Sequence, residues 1–323
     1  MAAPILITVY NRPEHFQKCI ESIKRCELAS ESVLYISSDA ASQHKDVLKV
    51  DQVRKYSLAI TGFKKVVNLF QKNNKGLSEC FYESIAHVFE ESDELIFLED
   101  DNSVSPDFLK YINDALKFYK DDKQVYSISA FSMSVFYPHQ VKDKTAVYFT
   151  HRFNPWGFGT WKNKFLNGNE YKLADLQDSL KKHDFKENLN NIGSDLYPAF
   201  LSALVQRKML SLDYLNVYHM VKNDLVTATP YQSKSFNTGN DGSGNRTKKS
   251  ERYSSVELSF LDTSCDFFLT REIEEHIDDS FNRIGHYSCV NQYKIILYKC
   301  GFLYISIKIN NLLRKVVRYL CTV

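Results

Sequence analysis

The chain lacks several features that would assign it to common classes of protein. Its seven cysteines are scattered and form no Cys-x-x-Cys pair, which argues against a disulfide framework or a structural zinc site and indicates a reducing compartment. No apolar run reaches the length of about 18 residues that a membrane span needs. The first residues lack a basic region and a cleavage-type site, so no signal peptide is expected.

The chain also has little excess of one sign of charge, except in its last residues. The net charge of +2 predicts no nucleic-acid partner, and no acid follows Asp279. Basic residues and an apolar stripe at helical spacing lie together in residues 281–323. The stripe comprises Ile309, Leu312, Leu313, Val316, Val317 and Leu320. This pattern predicts a basic amphipathic helix that lies on an anionic membrane surface, and the alternative is that the stripe packs on the protein body or on another subunit.

Strand-like and helix-like segments alternate over the first 130 residues. Short apolar runs occur at 5–10, 33–37, 66–70, 95–98 and 125–130. Helical stripes follow Pro13 and Gly76, and a further helix is expected between about 42 and 60. The alternation predicts βαβ units and therefore an α/β fold with a mostly parallel central sheet flanked by helices.

The segment Glu99–Asp101 is an acidic tip on one of these strands. It directly follows the apolar run Leu95–Leu98 and precedes Ser105 and Pro106, which predict the cap and first residue of a helix. Open α/β sheets bind ligands at the carboxyl ends of their strands. Three adjacent acids repel one another, and a hard divalent cation with phosphate oxygens beyond it would relieve that repulsion. The alternative is a solvated acidic loop.

Polar residues end two more of the predicted strands. Tyr10 and Arg12 follow the first strand, and Asp39 follows the second. In a parallel sheet they would share one edge with the acidic tip, where they could bind a base and a ribose. Each taken alone could equally be an ordinary turn residue.

The motifs in these segments together resemble those of GT-A glycosyltransferases. The acidic segment is especially similar to that of the N-acetylglucosaminyltransferase I family, and later motifs are similar to those of bacterial surface-polysaccharide sugar transferases. The segments that carry the resemblance are V-Y-N-R-P at 9–13, S-S-D at 37–39, L-E-D-D-N-S-V-S-P-D-F-L at 98–109, W-G-F-G-T-W at 156–161, G-S-D at 193–195 and N-T-G-N-D-G-S-G at 237–244.

This resemblance implies roles for the residues of the nucleotide-binding half. Arg12 and Asp39 would hold the uridine of a UDP-sugar, with Tyr10 beside them. Asp101 would bind Mn²⁺ or Mg²⁺ directly. Asp100 would lie near the ribose, and Glu99 near the sugar or the uridine.

The resemblance also implies roles for the second half of the chain. Trp156, Gly157 and Trp161 would shape the sugar pocket, although both Trp residues could instead be core. Asp195 would be the general base of an inverting reaction, or else simply a first-turn residue of a helix. Residues 237–250 contain no large apolar residue and would form a lid whose Arg246 reaches a diphosphate, or a linker. His219 and His286 are weak candidates for a further metal ligand.

The sequence therefore predicts a metal-dependent, inverting transferase of a sugar from UDP to a glycan hydroxyl. Residues 1–130 would bind the nucleotide-sugar, residues 131–280 would bind the acceptor, and 281–323 would form the tail. A lipid-linked oligosaccharide at the inner face of the cytoplasmic membrane is the expected acceptor.

Two alternatives remain at the level of the sequence. A sugar-phosphate nucleotidyltransferase would need a glycine-rich loop after the first strand, where this chain has Y-N-R-P-E-H. An inactive GT-A-like binding module would share the fold without the activity, and UDP release from a UDP-sugar would distinguish it.

Overall fold

A computed structural model of the protein describes residues 2–132, 147–165, 171–208, 210–241 and 288–320. The chain forms two compact units. Residues 1–168 and 223–274 form the first, here called the sheet unit, and residues 169–222 and 275–323 form the second, here called the helical unit. The functional division at 130 and 280 stays a prediction.

The sheet unit carries the strands together with four of the helices that the structure describes. The strands are β1 (Ile5–Val9), β2 (Val33–Ser38), β3 (Lys65–Phe70), β4 (Glu94–Glu99), β5 (Asn102–Val104), β6 (Val125–Ser129), β7 (Val147–Thr150), β8 (Phe158–Trp161), β9 (Val226–Pro230) and β10 (Ser235–Asn237). The helices are α1 (Pro13–Lys24), α2 (Val47–Leu58), α3 (Leu77–Glu91) and α4 (Phe108–Phe118).

The central sheet is mixed, with the strand order β3-β2-β1-β4-β8-β6-β9-β7. β3, β2, β1 and β4 pair in parallel, as the alternation of strands and helices predicts. Beyond them, β8 is antiparallel to both β4 and β6, and β7 is antiparallel to β9. The expectation of a mostly parallel sheet therefore holds for the first half of the sheet, and the second half alternates in direction.

Apolar side chains from the two faces of the sheet pack against different helices. Ile5 and Ile7 of β1 join a buried cluster with residues of α1, α2 and α4. On the opposite face, the ring of Phe97 packs edge-on against Phe81 of α3, with 4.8 Å between ring centroids. The unit thus has a helix layer on each side of the sheet, which explains why the central strands β1 and β4 consist mainly of apolar residues.

The strand order places a topological switch point between β1 and β4. The chain moves outward from β1 to β2 and β3, then returns through α3 to β4 on the other side of β1. Connections on opposite faces leave a crevice outside the carboxyl ends of these two strands, where open α/β sheets bind their ligands. Arg12 and the acidic tip both lie at this edge, because β1 and β4 pair with Thr8 opposite Glu99.

A short antiparallel ribbon of β5 and β10 brings residues 235–241 to the acidic tip. The almost completely buried Lys234, 2% exposed, precedes β10 and forms an ion pair with the carboxylate of Asp107. Ser105 donates a second hydrogen bond to that carboxylate, at 2.6 Å, and its amide donates to the carbonyl oxygen of Lys234 at 3.0 Å. The pair therefore holds the base of the ribbon.

The helix after the acidic tip begins later than predicted. Its first residue is Phe108, and Asp107 occupies the position before it. Ser105 and Pro106 instead lie in a preceding turn, in which the amide of Phe108 donates to the carbonyl oxygen of Ser105. The hydroxyl of Ser105 is used by Asp107, so it does not cap the helix.

In the described ranges, the helical unit contains helices only. They are α5 (Leu173–Lys181), α6 (His183–Ile192), α7 (Leu196–Gln206), α8 (Leu212–Asn223), α9 (Ser288–Lys299) and α10 (Leu303–Leu320). The helices α5 and α6 meet at Lys182, whose backbone is extended. None of the described helices combines the length and apolar character that a membrane crossing requires.

The buried ion pair below the ribbon generates the first prediction. Lys234→Met should lower the free energy of unfolding by about 3 to 5 kcal/mol, because it leaves the Asp107 carboxylate buried without its partner. The double variant Lys234→Met/Asp107→Asn should recover part of this loss. Urea denaturation would measure both changes.

The exposed pair of Lys110 and Asp114 on α4 provides the control. Lys110→Met should cost about 0.5 kcal/mol or less, because solvent screens that pair. Equal costs for Lys110→Met and Lys234→Met would contradict the structural role of the buried pair.

Candidate functional site

The guanidinium of Arg12 bridges the two aspartates of the acidic tip. Its Nη1 donates to Asp101 Oδ2 at 2.7 Å, and its Nε donates to Asp100 Oδ2 at 3.3 Å. Its Nη2 also donates to Asp100 Oδ1. Arg12 comes from the end of β1 and the aspartates follow β4, so this contact spans the two sides of the switch point.

Burial makes this cluster electrostatically unusual. Asp100 and Asp101 are 3% and 6% exposed. Burial raises the pKa of Asp100 from 3.8 to about 6, although Arg12 opposes the rise. The pKa of Arg12 is itself raised, because the attraction of both carboxylates outweighs the burial that disfavours its charge. Buried, mutually perturbed charges in a crevice are typical of functional sites.

Residues 237–239 close over Asp101 from the ribbon. The side-chain amide of Asn237 donates to Asp101 Oδ1 at 2.9 Å, and the amide and hydroxyl of Thr238 donate to the Asp101 carbonyl oxygen. A side chain at Gly239 would collide with the carboxylate, since its Cβ would lie only 2.9 Å from Asp101 Cγ and from Arg12 Nη1. Glycine is therefore required for this close approach.

Only part of this set of contacts has a signal in the sequence. The N-T-G segment belongs to the motif 237–244, but its role as a partner of Asp101 was not predicted. Asn102, whose Nδ2 also lies 3.3 Å from Asp101 Oδ1, was missed as well. Residues 242–250 of the predicted lid, including Arg246, lie outside the described residues.

Asp39 lies at the same sheet edge, after β2, and its carboxylate binds the backbone of a neighbouring loop. It accepts hydrogen bonds from the amides of Ala40, Lys75 and Gly76, at 2.8 to 3.0 Å. The side-chain amide of Asn74 adds a fourth at 3.0 Å. Asp39 therefore shapes the loop that leads into α3, and its predicted contact with uridine stays a prediction.

Tyr10 has a comparable role in the loop after β2. Its hydroxyl donates to Asp46 Oδ2 at 3.0 Å and accepts from the amide of Ser42 at 2.8 Å. Asn11 donates to the other oxygen of Asp46 at 2.9 Å. Together these contacts fix the segment 42–46 beside the crevice.

The two Trp residues of the aromatic motif at 156–161 lie at opposite ends of β4. Trp156 is half-buried near the ribbon, and its carbonyl oxygen accepts from the hydroxyl of Ser235. Gly157 has φ +93°, and a Cβ there would lie 3.3 Å from Ser235 and from Leu98. Trp161, by contrast, is 2% exposed and pairs with Glu94, at the amino end of β4. It is therefore a core residue at the opposite edge of the sheet from the acidic tip.

The remaining predicted residues are placed as follows. Glu99 is half-buried at the end of β4, and its amide donates to Asn102 Oδ1 at 2.9 Å. Asp195 belongs to the helical unit, where it occupies the position before α7, and the hydroxyl of Tyr214 lies 3.5 Å from its Oδ2. His219 lies within α8, and His286 lies outside the described residues.

Carboxylate and amide oxygens at the crevice are the ligands that Mn²⁺ and Mg²⁺ accept, so the donor types fit the predicted cation. Such ions use one or two protein carboxylates and complete their coordination with substrate phosphates and water. Within the described ranges no three His, Cys, Asp or Glu side chains are grouped closely enough to hold a metal alone. The position between Asp100 and Asp101 is taken by the guanidinium of Arg12.

No family model and no curated protein matches the chain. Similar solved structures include TarS of S. aureus, with 12% identity over 74% of this chain and a TM-score of 0.39. TarS 1–349 has 13% identity over 75% and a TM-score of 0.39, and its complex with UDP-GlcNAc has 14% over 80% and 0.40. This chain spans 37% of the first and 62% of the other two. A likeness this distant carries no argument about activity.

The raised pKa of Asp100 generates a prediction about pH. Between its ordinary pKa of 3.8 and about 6, Asp100 holds more protons in the folded protein than in the unfolded chain. Its contribution to the free energy of unfolding therefore falls as the pH rises through this window and stays low above it. Asp100→Asn, which cannot titrate, should gain stability relative to the unmodified protein as the pH rises from about 4 to 7.

Urea denaturation in metal-free buffer across that pH range would measure the difference. The variant Asp114→Asn, which removes an exposed carboxylate from α4, provides the control. A constant or falling relative stability of Asp100→Asn would show that burial does not raise the pKa of this carboxyl.

Proposed function

We propose that this protein is a glycosyltransferase that moves a sugar from a UDP-sugar to a glycan hydroxyl. One observation carries the proposal: Arg12, Asp100 and Asp101 form a buried charge cluster in the crevice at the switch point of β1 and β4. This is the position at which open α/β sheets bind nucleotides. The motifs that resemble GT-A enzymes supply the reaction class.

The alternatives fit the crevice less well. A nucleotidyltransferase cradles its phosphates in a glycine-rich loop after the first strand, and residues 10–15 contain no glycine. Here Arg12 is bound to carboxylates and Tyr10 to a neighbouring loop. An inactive binding module would not need two buried carboxylates, which are costly to retain.

In the proposed reaction Asp195 accepts the proton of the acceptor hydroxyl. The oxygen then attacks the anomeric carbon as the bond from that carbon to the UDP oxygen breaks, so configuration inverts and UDP leaves. A divalent cation bound at Asp101 would neutralise charge on the departing diphosphate. Asn237 and Gly239 would keep Asp101 in position.

The acceptor is proposed to lie at a membrane, in the form of a lipid-linked oligosaccharide. Apolar side chains at helical spacing on α10 support this, since Ile305, Ile309, Leu312 and Leu313 are all more than half exposed. The chain has no acid after Asp279, so all the charged side chains in the segment that carries this exposed face are basic. Such a helix suits an anionic lipid surface.

UDP release from candidate UDP-sugars, with and without Mn²⁺, tests the activity. Asp195→Asn should lower turnover by about 10² to 10⁴-fold, the usual effect of removing a general base. UDP binding should be unchanged, because the proposed base acts on the acceptor hydroxyl and not on the nucleotide. The control Asp213→Asn replaces another acid at the start of a helix and should leave turnover intact.

Three outcomes of this assay would count against the assignments. No UDP release from any UDP-sugar would reject the enzyme. Full activity in EDTA would reject the cation. Near-normal turnover of Asp195→Asn would mean that another base acts, with Glu170 and Asp241 as the next candidates.

The exposed face of α10 generates a separate prediction. Replacing Ile305, Ile309, Leu312 and Leu313 by Ser should abolish sedimentation of the full chain with anionic liposomes at low salt. Salt should weaken sedimentation of the unmodified protein, since it screens the basic residues. The matched control replaces the exposed Leu48 and Leu58 of α2 by Ser. Equal sedimentation of both variants would show that α10 is not the membrane contact.

A further inference from the structure

The contacts of Arg12 leave little capacity at Asp101 for another cation. Asp101 Oδ2 accepts from Arg12 at 2.7 Å, while Oδ1 accepts from Asn237 at 2.9 Å and lies 3.3 Å from Asn102 Nδ2. A divalent cation binds a carboxylate oxygen at about 2.0 to 2.6 Å and needs a lone pair that points at it. On Oδ2 that direction is occupied by the guanidinium.

The charge balance leads to the same conclusion. Two carboxylates that are 3% and 6% exposed require a positive charge beside them. Arg12 supplies one, and it contacts both Asp100 and Asp101 at once. A divalent cation and a guanidinium in this small space would repel each other strongly, so the two cannot share it.

We propose that Arg12 is the counter-cation of Asp100 and Asp101, and that a divalent cation binds Asp101 by displacing it. The inference deepens the proposed function and rests on it for the identity of the nucleotide. Arg12 pairs with the two aspartates, and it is released when a divalent cation takes its place.

The position of Arg12 permits this exchange. It lies between β1 and α1, its side chain is 20% exposed, and Pro13 begins the helix after it. The guanidinium can therefore leave by rotation of its side chain, without unfolding either element. Once released at the edge of the crevice, it can bind two phosphate oxygens together, which suits it to a diphosphate.

Titration of Mn²⁺ into the nucleotide-free full chain, with free Mn²⁺ followed by electron paramagnetic resonance, tests the inference. Arg12→Met should bind Mn²⁺ about tenfold or more tightly than the unmodified protein, because the competing charge is removed. Arg25→Met is the matched control. Arg25 is exposed at the far end of α1, so the loss of its charge should change the affinity less than twofold.

A second measurement separates competition from a structural role. At saturating Mn²⁺, Arg12→Met should bind UDP more weakly than the unmodified protein, although it binds the cation more tightly. If Arg12→Met does not unfold cooperatively and is therefore not properly folded, the binding measurements are made with Arg12→Lys instead. Lysine cannot contact both carboxylates as the planar guanidinium does, so Arg12→Lys should show a smaller gain in Mn²⁺ affinity.

Equal or weaker Mn²⁺ binding by the Arg12 variant, or no Mn²⁺ binding by either protein, would overturn the inference. Failure of the proposed function looks different. In that case the gain in Mn²⁺ affinity would appear, but no UDP-sugar would be turned over by the unmodified protein.

Discussion

The contact of Arg12 with Asp100 and Asp101 is the interaction on which the crevice depends. The acids follow β4 and the guanidinium follows β1, and these strands are neighbours only because the chain reverses its order at that point. Without Arg12, two nearly buried carboxylates would face each other at the edge of the sheet. The ion pair can therefore form only with this strand order, and it in turn neutralises part of the negative charge of the site.

A second buried ion pair stabilises the ribbon that contacts the cluster of Arg12 with Asp100 and Asp101. Lys234 and Asp107 fix the base of the ribbon, and the ribbon carries Asn237 and Gly239 to Asp101. The two pairs lie at successive positions along the same connection, since the acidic tip, β5 and Asp107 follow one another in the chain. Arg12 thus orients Asp100 and Asp101, and the pair of Lys234 with Asp107 holds the backbone of the ribbon that covers Asp101.

The sequence was informative about the strands and less so about their partners. Apolar runs located β1, β2, β3 and β4 to within a residue or so, because parallel strands covered on both faces consist mainly of apolar residues. The pairing of Arg12 with Asp100 and Asp101 has no signal in the local sequence, because the aspartates are 88 and 89 residues away along the chain. The motif of Trp161 left pocket and core open for a related reason: the direction of β8, antiparallel to β4, carries Trp161 away from the acidic tip and into the core.

Stability alone gives no reason to retain these charges. Replacing a buried ion pair by apolar residues of similar size is often neutral or stabilising, and the apolar cluster of this sheet is already extensive. Asp39 and Asp46 are also nearly buried carboxylates, but each accepts hydrogen bonds from neutral donors that build a neighbouring loop. The cluster of Arg12 with Asp100 and Asp101 differs from them because it brings two carboxylates and a guanidinium together at the switch point, and this is why we place the chemistry there.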